Sequence, residues 1–387
     1  MARKTLICLN SEQVIANVIA LGEVKPDRLV VISTEDMVGQ FKNLCACVRE
    51  MGISPPEKAI MVPPWDFEEI GRILDQQLPE MAADERVILN ATGGTKPMAL
   101  VALERLRSHP GFEALYIDSR NNLKYLFFPG PAAKASLSYA PPIPLYLRAY
   151  GLHSSHVISE PWLEEASSFV SRHFESLSGL IWRIKSAWAQ GSGTMRISKV
   201  RALDPRSAWH RFLALLRDRQ IIKGFSLRQG EVLEILWQKQ KEAYRYFVQC
   251  GWLEHLTYFS LKDLADEICM NLSVFQTKEP NASALAEYDV VARRGATLFF
   301  FECKSGSTVV DGSQLGQAVQ SFQAKVKLSG GVMAKPVFVL SNRFKQPTDL
   351  QIERARFAGV KIIGYDDIAG RLTETLEAIL LPFQTAT

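Results

Sequence analysis

The sequence predicts an α/β fold in which two α/β domains are joined by a mostly helical connector. Three observations lead to this prediction: short apolar runs alternate with amphipathic stretches near the N-terminus, helical periodicity dominates the middle, and a mixed α/β pattern ends the chain. The length of 387 residues also exceeds that of most single domains. We therefore expect an N-terminal domain at 1–145, the connector at 146–240 and a C-terminal domain at 241–387.

The N-terminal domain is predicted to be an open, doubly wound sheet. Its apolar runs are short and rich in Val, Ile and Leu, as buried parallel strands are. These runs lie at Thr5–Leu9, Leu29–Ser33, Lys58–Val62, Arg86–Asn90 and Ala114–Asp118. The stretches between them predict helices at Gln13–Leu21, Asp36–Met51, Phe67–Met81 and Pro97–Ser108. In such sheets, ligands bind beyond the carboxyl ends of the strands.

The regular pattern stops at residues 129–144, where five prolines mark the predicted end of the first domain. Mostly helical patterns follow from about Glu160 to Ser273. The last part of the chain predicts a hairpin at 287–303, followed by a helix, a strand, a helix and a strand. These four elements are expected near 313–327, at Pro336–Leu340, near 348–358 and at Val360–Tyr365.

Positive charge is concentrated in the middle of the chain. Residues 191–245 contain 12 Lys and Arg against 5 Asp and Glu, a local charge of +7, whereas the whole chain carries only +4. Such a segment fits a polyanionic partner such as nucleic acid, and it fits a helical connector with a solvated basic face about equally well. Trp182, Trp188 and Trp209 follow helical patterns in this region and are expected to pack in a core rather than to stack on bases.

Cysteine usage and hydropathy favour a cytoplasmic protein. The six cysteines lie at no spacing that builds a zinc site or a disulfide framework. The N-terminus lacks the long apolar run of a signal peptide, and no stretch approaches the roughly 18 apolar residues that a membrane helix requires. We therefore expect a cytoplasmic location and no membrane partner.

The segment AEYDVVARRGATLFFFECKSG predicts a hairpin with charged residues on one face. Gly295-Ala296 suits a two-residue type II′ turn, which requires glycine at its first central position. Pairing outward from this turn places Asp289 opposite Glu302, and directly opposed residues share a face of the sheet. Strand alternation then puts Lys304 on the same face as Glu302, while Cys303 points to the other side.

Two opposed carboxylates beside a lysine favour a cation site over a purely structural hairpin. The carboxylates repel each other, and Mg²⁺ or Mn²⁺ relieves that repulsion while keeping bound waters. The alternative is a surface hairpin in which Lys304 neutralises Glu302. The TLFFF run before Glu302 is typical of a buried strand, and charge at the end of a buried strand is costly without a function.

At these residues the sequence resembles the PD-(D/E)xK nuclease superfamily, whose signature is an acid, a hairpin and then Glu-x-Lys. Asp289 matches the first acid, and Glu302 and Lys304 match the Glu-x-Lys pair. The helix carrying GWLEH resembles the family's first core helix and implies a further catalytic acid at Glu254; a surface glutamate fits that spacing nearly as well. The resemblance implies a metal-dependent endonuclease in which Asp289 and Glu302 bind the metal.

A second motif follows the strand RVILN, in the segment ATGGTKPMALVALERL. Two glycines permit close backbone approach, Thr95 can cap the next helix, and Pro97 suits its first turn. Helix N-terminal amides together with Lys96 predict an anion site at the end of a parallel strand. The spacing matches neither the Walker A loop nor the dinucleotide-binding motif, and an ordinary tight turn remains the alternative.

The segment NATGGTKPM resembles the Gly-Thr-Lys motif of CARF domains, the Rossmann-like sensors of CRISPR-associated proteins, which bind cyclic oligoadenylates across a homodimer interface. The resemblance implies that ribose and phosphate are held by Thr92, Gly93, Gly94, Thr95 and Lys96. It also implies that the loop after the first strand faces the ligand with Asn10, Ser11 and Gln13. Glu12 departs from this pattern, because a carboxylate is unexpected beside a phosphate ring.

The ordered pair of motifs resembles the CRISPR ancillary nucleases that cyclic tetra-adenylate activates. It implies a Rossmann-like CARF domain, a helical connector and a C-terminal PD-(D/E)xK nuclease-like domain. The implied function is ligand-activated, metal-dependent hydrolysis of single-stranded RNA or DNA by a homodimer in type III antiviral defence. A cyclic-oligoadenylate-responsive transcriptional regulator with an inactive nuclease-like domain is the main alternative, and a restriction-type or repair nuclease without an activator is the third.

Overall fold

The computed structural model describes most of the chain, and all statements about structure refer to that part. The described residues are 3–118, 121–157, 162–188, 194–200, 202–228, 231–238, 247–277, 279, 282–305, 313–341 and 346–381. Among them, no helix combines the length and the apolar character that crossing a membrane requires.

The N-terminal domain is built on a seven-stranded sheet. Its strands are β1 (Lys4–Leu9), β2 (Arg28–Ser33), β3 (Ile60–Met61), β4 (Arg86–Asn90), β5 (Phe112–Asp118), β6 (Leu123–Phe127) and β7 (Ala133–Ser136). They lie in the order β3-β2-β1-β4-β5-β6-β7, and only β6 and β7 run antiparallel to their neighbours. The five predicted strands are confirmed. Strands β6 and β7 were not predicted, because their residues are partly or fully exposed and no buried apolar run marks them.

Helices cover both faces of this sheet, as a doubly wound fold requires. They are α1 (Val14–Val24), α2 (Val38–Glu50), α3 (Phe67–Gln77), α4 (Lys96–Leu106) and α5 (Ile143–Ala149). Helix α1 is buried along nearly its whole length because α2 and α5 pack against it on the sheet. Helices α3 and α4 pack together on the other face, over a separate apolar cluster.

The strand order reverses at β1, and this reversal positions the candidate ligand loops. The chain passes from β1 outward to β2 and β3, then returns to place β4 on the other side of β1. The loops that follow β1 and β4 therefore leave the sheet in opposite directions, and such a reversal is where ligands bind in open α/β sheets. Both segments singled out in the sequence of this domain lie at that reversal.

In the part of the chain that the structure describes, the middle region contains three helices and four strands. The helices are α6 (Trp162–Arg172), α7 (Phe174–Trp188) and α8 (Ala208–Asp218), and the strands are β8 (His153–Val157), β9 (Thr194–Ile197), β10 (Ile222–Arg228) and β11 (Val232–Trp237). The helical patterns did not predict the last three strands, which form an antiparallel sheet of order β10-β11-β9. The alternation of apolar and polar residues that marks a strand is obscured in β11, because Glu234 is charged but buried, whereas Leu236 is apolar but exposed.

The C-terminal domain is built on a six-stranded mixed sheet. Its further elements are α9 (Trp252–Leu261), β12 (Glu267–Phe275), β13 (Ala286–Arg294), β14 (Thr297–Lys304), α10 (Ser313–Gly330), β15 (Lys335–Leu340), α11 (Asp349–Phe357), β16 (Lys361–Ile363) and α12 (Tyr365–Leu380). The strand order is β16-β15-β14-β13-β12-β8, so that β8 completes the edge of this sheet. The predicted succession of hairpin, helix, strand, helix and strand is confirmed.

One hydrophobic cluster runs through both domains. It contains residues of α1 and α5 on the N-terminal side, and residues of β13, β14 and α10 on the C-terminal side. A second cluster fills the other face of the C-terminal sheet, under α6, α7, α9 and α12. The two domains therefore pack against each other through a continuous apolar core.

Candidate functional site

The β13–β14 hairpin has the register that its turn predicts. Gly295 has a φ of +55°, as the first central position of a type II′ turn requires. The paired residues run from Arg294 opposite Thr297 to Val290 opposite Phe301. This register confirms the count made from the turn, and the next position beyond the last pair brings Asp289 beside β14.

Three charged side chains meet at the end of this hairpin. An oxygen of Asp289 accepts a hydrogen bond from the backbone N–H of Cys303 at 2.6 Å. On the neighbouring strand, the Lys304 Nζ atom lies 2.6 Å from the Oε1 atom of Glu302. The structure therefore brings together Asp289, Glu302 and Lys304.

Lys325 is a fourth member of this cluster that the sequence did not reveal. Its Nζ atom lies 3.4 Å from the Oε2 atom of Glu302, so that each oxygen of Glu302 faces a different lysine. The same ammonium group lies 4.7 Å from the centre of the Tyr288 ring, within the range of a cation–π contact. Lys325 belongs to α10, where it follows no motif, so only the packing of α10 on the sheet identifies it.

The electrostatics of the cluster reflect two carboxylates in a partly buried place. Burial and then the charge of Glu302 raise the pKa of Asp289 to about 6, against the opposing effects of the Cys303 N–H and the two lysines. Burial acts to lower the pKa of Lys304, but Glu302 and Asp289 outweigh it and the net shift is upward. Lys304 is therefore held in its protonated form, while Asp289 is held less firmly in its charged form.

Glu254 approaches the cluster from the other face of the sheet. It lies on α9, which packs against β13 and β14, and it is only 2% exposed. Cys303 points toward this helix, where its Sγ atom lies 3.5 Å from the hydroxyl of Thr257. Burial raises the pKa of the Cys303 thiol, and the charges of Asp289 and Glu254 raise it further. Glu254 therefore lies close to Cys303, behind the strand that carries Glu302 and Lys304.

The donor set at the hairpin fits a hard divalent cation. Asp289 and Glu302 offer carboxylate oxygens, and Mg²⁺ is commonly bound by one or two carboxylates together with waters. Burial and then the charge of Glu302 disfavour the ionised form of Asp289, and a bound cation would favour it. In the described part of the chain, no three His, Cys, Asp or Glu side chains converge as a metal cluster. A closed protein cage for a metal is therefore not found among those residues.

In the N-terminal domain, the hydroxyl groups of the loop after β4 are bound to the protein. The Thr92 hydroxyl donates to the side-chain oxygen of Asn90 at 2.6 Å and accepts from the N–H of Ile117 at 2.8 Å. Thr95 is the N-cap of α4, and its hydroxyl also donates to the carbonyl of Pro64 at 2.6 Å. These side chains hold the loop in place between β4, β5 and the segment after β3.

The loops after β1 and β4 touch each other through Gly93. A Cβ atom at this position would collide with the carbonyl of Leu9, and it would lie 3.0 Å from the hydroxyl of Ser11. Gly94 follows with a φ of +73°, which turns the chain into α4. The exposed side chain of Lys96 then stands at the first position of that helix, and the structure thus brings both predicted loops together.

Two residues of the first loop make contacts away from the second loop. The buried Asn10 side chain donates to the Ser33 hydroxyl at 3.0 Å and to the carbonyl of Met37 at 2.9 Å. The side-chain oxygen of Gln13 accepts a hydrogen bond from the Tyr150 hydroxyl at 3.0 Å. Asn10 therefore ties the loop to the neighbouring strand, and Gln13 ties it to the end of α5.

Two buried asparagines beneath the loops were not singled out in the sequence. The Asn17 side chain donates to the carbonyl of Leu9 at 3.0 Å, and the Asn90 side chain donates to the Asn17 oxygen at 2.8 Å. This chain of amides connects α1, β1 and β4, and through Thr92 it reaches β5. Asparagine within a predicted helix or strand is the only signal that points to these positions in the sequence.

A basic depression with an exposed tryptophan lies on the middle region. Its volume is about 330 Å³, and it is lined mainly by Trp182, Arg183, Arg196 and Lys199. The expectation that Trp182 packs in a core was wrong, because its side chain is 61% exposed. Helical periodicity does not show whether a given helix face meets a core or solvent, which explains the error.

The other two tryptophans differ from Trp182. Trp209 packs against the apolar cluster of this region, and its indole N–H donates to the carbonyl of Ser176 at 2.6 Å. The side chain of Trp188 lies outside the described residues. Trp182 is thus the tryptophan whose exposed side chain lines the depression.

Comparison with known proteins agrees with this architecture. The family model described as the Card1 CARF domain matches residues 5–139, and that of the Card1-like endonuclease domain matches residues 240–381. No curated protein matches the chain.

Three solved structures resemble the chain. Protein VC1899 from Vibrio cholerae is 17% identical over 98% of both chains, with a TM-score of 0.76. Can2 from Sulfobacillus thermosulfidooxidans, in complex with cyclic tetra-adenylate, is 19% identical over 98% of this chain and 97% of its own, with a TM-score of 0.74. A type III CRISPR defence DNA nuclease activated by cyclic oligoadenylate is 18% identical over 88% of this chain and 46% of its own, with a TM-score of 0.54.

The fold and the two matching domain families define a protein that joins a ligand-sensing α/β domain to an endonuclease domain. More specifically, the chain belongs to the family that combines a Card1 CARF domain with a Card1-like endonuclease domain. At these low identities, the likeness to VC1899 and Can2 shows that nearly the whole chain shares their fold.

Proposed function

We propose that this chain is a metal-dependent endonuclease of type III CRISPR antiviral defence, activated when cyclic tetra-adenylate binds its CARF domain. The observation that carries the proposal is the convergence of Asp289, Glu302 and Lys304 on the hairpin of the endonuclease domain. The family of the N-terminal domain supports the activator, as does the neighbour Can2, whose structure holds cyclic tetra-adenylate.

Each charged residue of the hairpin has a distinct role in the proposal. Asp289 and Glu302 hold Mg²⁺ or Mn²⁺ through their carboxylate oxygens. When bound, such an ion lowers the pKa of a coordinated water and stabilises the charge that builds on a phosphodiester. Lys304 acts as a fixed positive charge toward a phosphoryl oxygen rather than as a base, because Glu302 raises its pKa. Glu254 supports the site from behind Cys303.

The ligand site lies at the reversal between β1 and β4. We propose that the ligand's phosphates meet Lys96 and the free N–H groups at the start of α4. Gly93 and Gly94 let the backbone approach the ligand, while Thr92 and Thr95 shape the loop. Asn10, Ser11 and Gln13 form the opposite wall.

The proposed assembly is a homodimer that encloses one ligand. A cyclic tetra-adenylate has two-fold symmetry, and an isologous dimer offers two identical sites across its axis. The ligand must bind the active arrangement more tightly than the resting one, since otherwise no switching occurs. Gel filtration with light scattering tests the assembly, and a monomer both with and without the ligand would exclude it.

The basic depression is proposed to guide single-stranded nucleic acid toward the hairpin. Arg183, Arg196 and Lys199 offer positive charge to phosphates, and the exposed face of Trp182 offers a surface on which a base can stack. Stacking on aromatic side chains suits unpaired bases, so this surface favours single-stranded RNA or DNA over duplex DNA.

The test is a cleavage assay on labelled single-stranded RNA, single-stranded DNA and supercoiled plasmid. Each substrate is incubated with Mg²⁺ or Mn²⁺, with and without cyclic tetra-adenylate, beside the Glu302→Ala variant. Cleavage that requires both metal and ligand, and that disappears in the variant, is the expected result. Tight ligand binding without cleavage of any substrate would instead favour the transcriptional regulator.

A further inference from the structure

The C-terminal end of α10 lies between the two candidate sites. From the N-terminal domain, the Tyr146 hydroxyl donates to the carbonyl of Gly330 at 3.4 Å. Tyr150, which stacks on Tyr146 with ring centroids 6.0 Å apart, presents its hydroxyl to Gly331. The Gln13 side chain also meets Gly331. Its oxygen adjoins this glycine and accepts the hydrogen bond from the Tyr150 hydroxyl.

The side of Gly331 that faces the N-terminal domain has no room for a Cβ atom, whereas a depression of about 300 Å³ adjoins Val326, Lys327 and Gly331. Gly331 has a φ of +66°, and a Cβ atom there would collide with the Tyr150 hydroxyl and would lie 2.5 Å from the Gln13 oxygen. A Cβ atom at the preceding Gly330 would lie 2.9 Å from the ring of Phe300 on β14. A displacement of Gln13 or Tyr150 toward Gly331 therefore pushes on the end of α10, and the neighbouring depression leaves that end room to move.

The same helix reaches the catalytic cluster less than two turns earlier. The Tyr288 hydroxyl, next to Asp289, donates to the carbonyl of Lys325 at 2.6 Å and lies 2.7 Å from the Ser329 hydroxyl. The Lys325 ammonium in turn faces the Oε2 atom of Glu302. The last turns of α10 and the glycine that follows them therefore contact the ligand loop at one end and Glu302 at the other.

We propose that the segment Lys325–Gly331 couples the two sites, with Tyr150 as the positioning residue that transmits the movement of Gln13. The proposal rests on the ligand-activated nuclease function set out above. In the arrangement described here, Lys304 and Lys325 occupy the two oxygens of Glu302. Ligand binding at Ser11–Gln13 displaces the end of α10, Lys325 withdraws, and one oxygen of Glu302 becomes available to a cation.

The test compares two tyrosine variants, one that loses a hydrogen bond to the ligand loop and one that loses a hydrogen bond to α10. Tyr150→Phe removes the hydrogen bond to Gln13 and keeps the stacked ring. Tyr146→Phe is the matched control, because its hydroxyl reaches α10 at Gly330 without touching the ligand loop. For each variant, cyclic tetra-adenylate binding is measured by calorimetry, and the cleavage rate is measured with and without saturating ligand.

We expect Tyr150→Phe to bind the ligand within a few-fold of wild type and to keep its ligand-free cleavage rate. The ratio of its cleavage rates with and without ligand should fall by about three- to tenfold, because the loss of one hydrogen bond shifts the switching equilibrium by that factor. Tyr146→Phe should keep the wild-type ratio. An unchanged ratio in Tyr150→Phe, or an equal loss in both variants, would overturn the coupling alone. A wild-type protein that the ligand does not stimulate would overturn both the coupling and the proposed function.

A second variant examines the other end of the segment. Lys325→Met removes the ammonium group that faces Glu302, so ligand-free cleavage should rise by about threefold or more while ligand-stimulated cleavage changes less. Lys325→Arg, which keeps the charge, should restore dependence on the ligand. A fall in ligand-free cleavage in Lys325→Met would refute the proposed withdrawal. Hydrogen exchange of residues 325–331 gives a readout without activity, because ligand should change it in wild type and not in Tyr150→Phe.

Discussion

The two candidate sites use their polar side chains in different ways. In the CARF domain, the Thr92 and Thr95 hydroxyls and the Asn10 amide are bound to the protein itself. In the endonuclease domain, the charged groups of Glu302 and Lys304 form an ion pair with each other. Burial and then the charge of Glu302 raise the pKa of Asp289. The first site is a backbone cradle held in shape by its side chains, whereas the second is a cluster of opposed charges at the end of a hairpin.

This difference indicates how each site should respond to mutation. A cradle should lose ligand affinity when the exposed charge of Lys96 is removed, while the rest of its shape is kept. A charge cluster loses its chemistry when either carboxylate is neutralised, and the metal-free fold gains from the relief of repulsion. The predictions below test this contrast.

The largest effect is expected from Glu302→Gln. Because the substitution removes a carboxylate oxygen while preserving shape, we expect cleavage to fall by at least about 10³-fold. Ligand affinity, measured by calorimetry with cyclic tetra-adenylate, should stay within a few-fold of wild type. A large loss of ligand binding would show that the two sites are not separable in this way.

A smaller effect is expected from Lys96→Ala in the cradle. Loss of one charged hydrogen bond to a phosphate should weaken cyclic tetra-adenylate binding by about ten- to a hundredfold. Cleavage at saturating ligand should remain close to that of wild type. Lys42→Ala, at an exposed lysine on α2, is the control and should bind normally. Unchanged affinity in Lys96→Ala would remove this lysine from the site.

Trp182→Ala is expected to act on substrate binding alone. Loss of one stacked base should raise the KM for single-stranded substrate by about fivefold or more, with little change in kcat. Trp182→Phe keeps an aromatic face and should restore most of the affinity. If kcat falls while KM is unchanged, Trp182 does not belong to a docking surface.

The smallest effect is a pH-dependent change in stability in Asp289→Asn. The pKa of Asp289 is raised from 3.8 to about 6, so its ionised form destabilises the metal-free fold above pH 6. This contribution disappears below about pH 4, where the carboxyl group is protonated in the folded and the unfolded state. In EDTA, we expect the variant to melt about 2–4 °C above wild type at pH 8, with no difference near pH 4.

Differential scanning fluorimetry at both pH values measures this shift. The same variant should lose cleavage, because it lacks one of the two proposed metal ligands. A variant that melts below wild type at pH 8 would show that the Cys303 hydrogen bond outweighs the repulsion from Glu302.

The hairpin site was largely predictable from the sequence, since a two-residue turn determines register and register determines which side chains oppose each other. Lys325 was not predictable, because it reaches Glu302 only through the packing of α10 on the sheet. In the N-terminal domain, five of the seven strands and both loops were predicted. The roles of the loop hydroxyls were not, because their partners Pro64 and Ile117 come from other segments.

The sequence by itself determined the five parallel strands of the first domain, the hairpin register and the order of the elements after the hairpin. These features depend on local periodicity and turn chemistry, which a single segment contains. Only the tertiary structure decided that β9–β11 form a sheet, that Trp182 is exposed, and that Gln13 reaches Gly331 through Tyr150. Such contacts join residues far apart in the chain, and a helix has the same period whether its face meets solvent, a core or another domain.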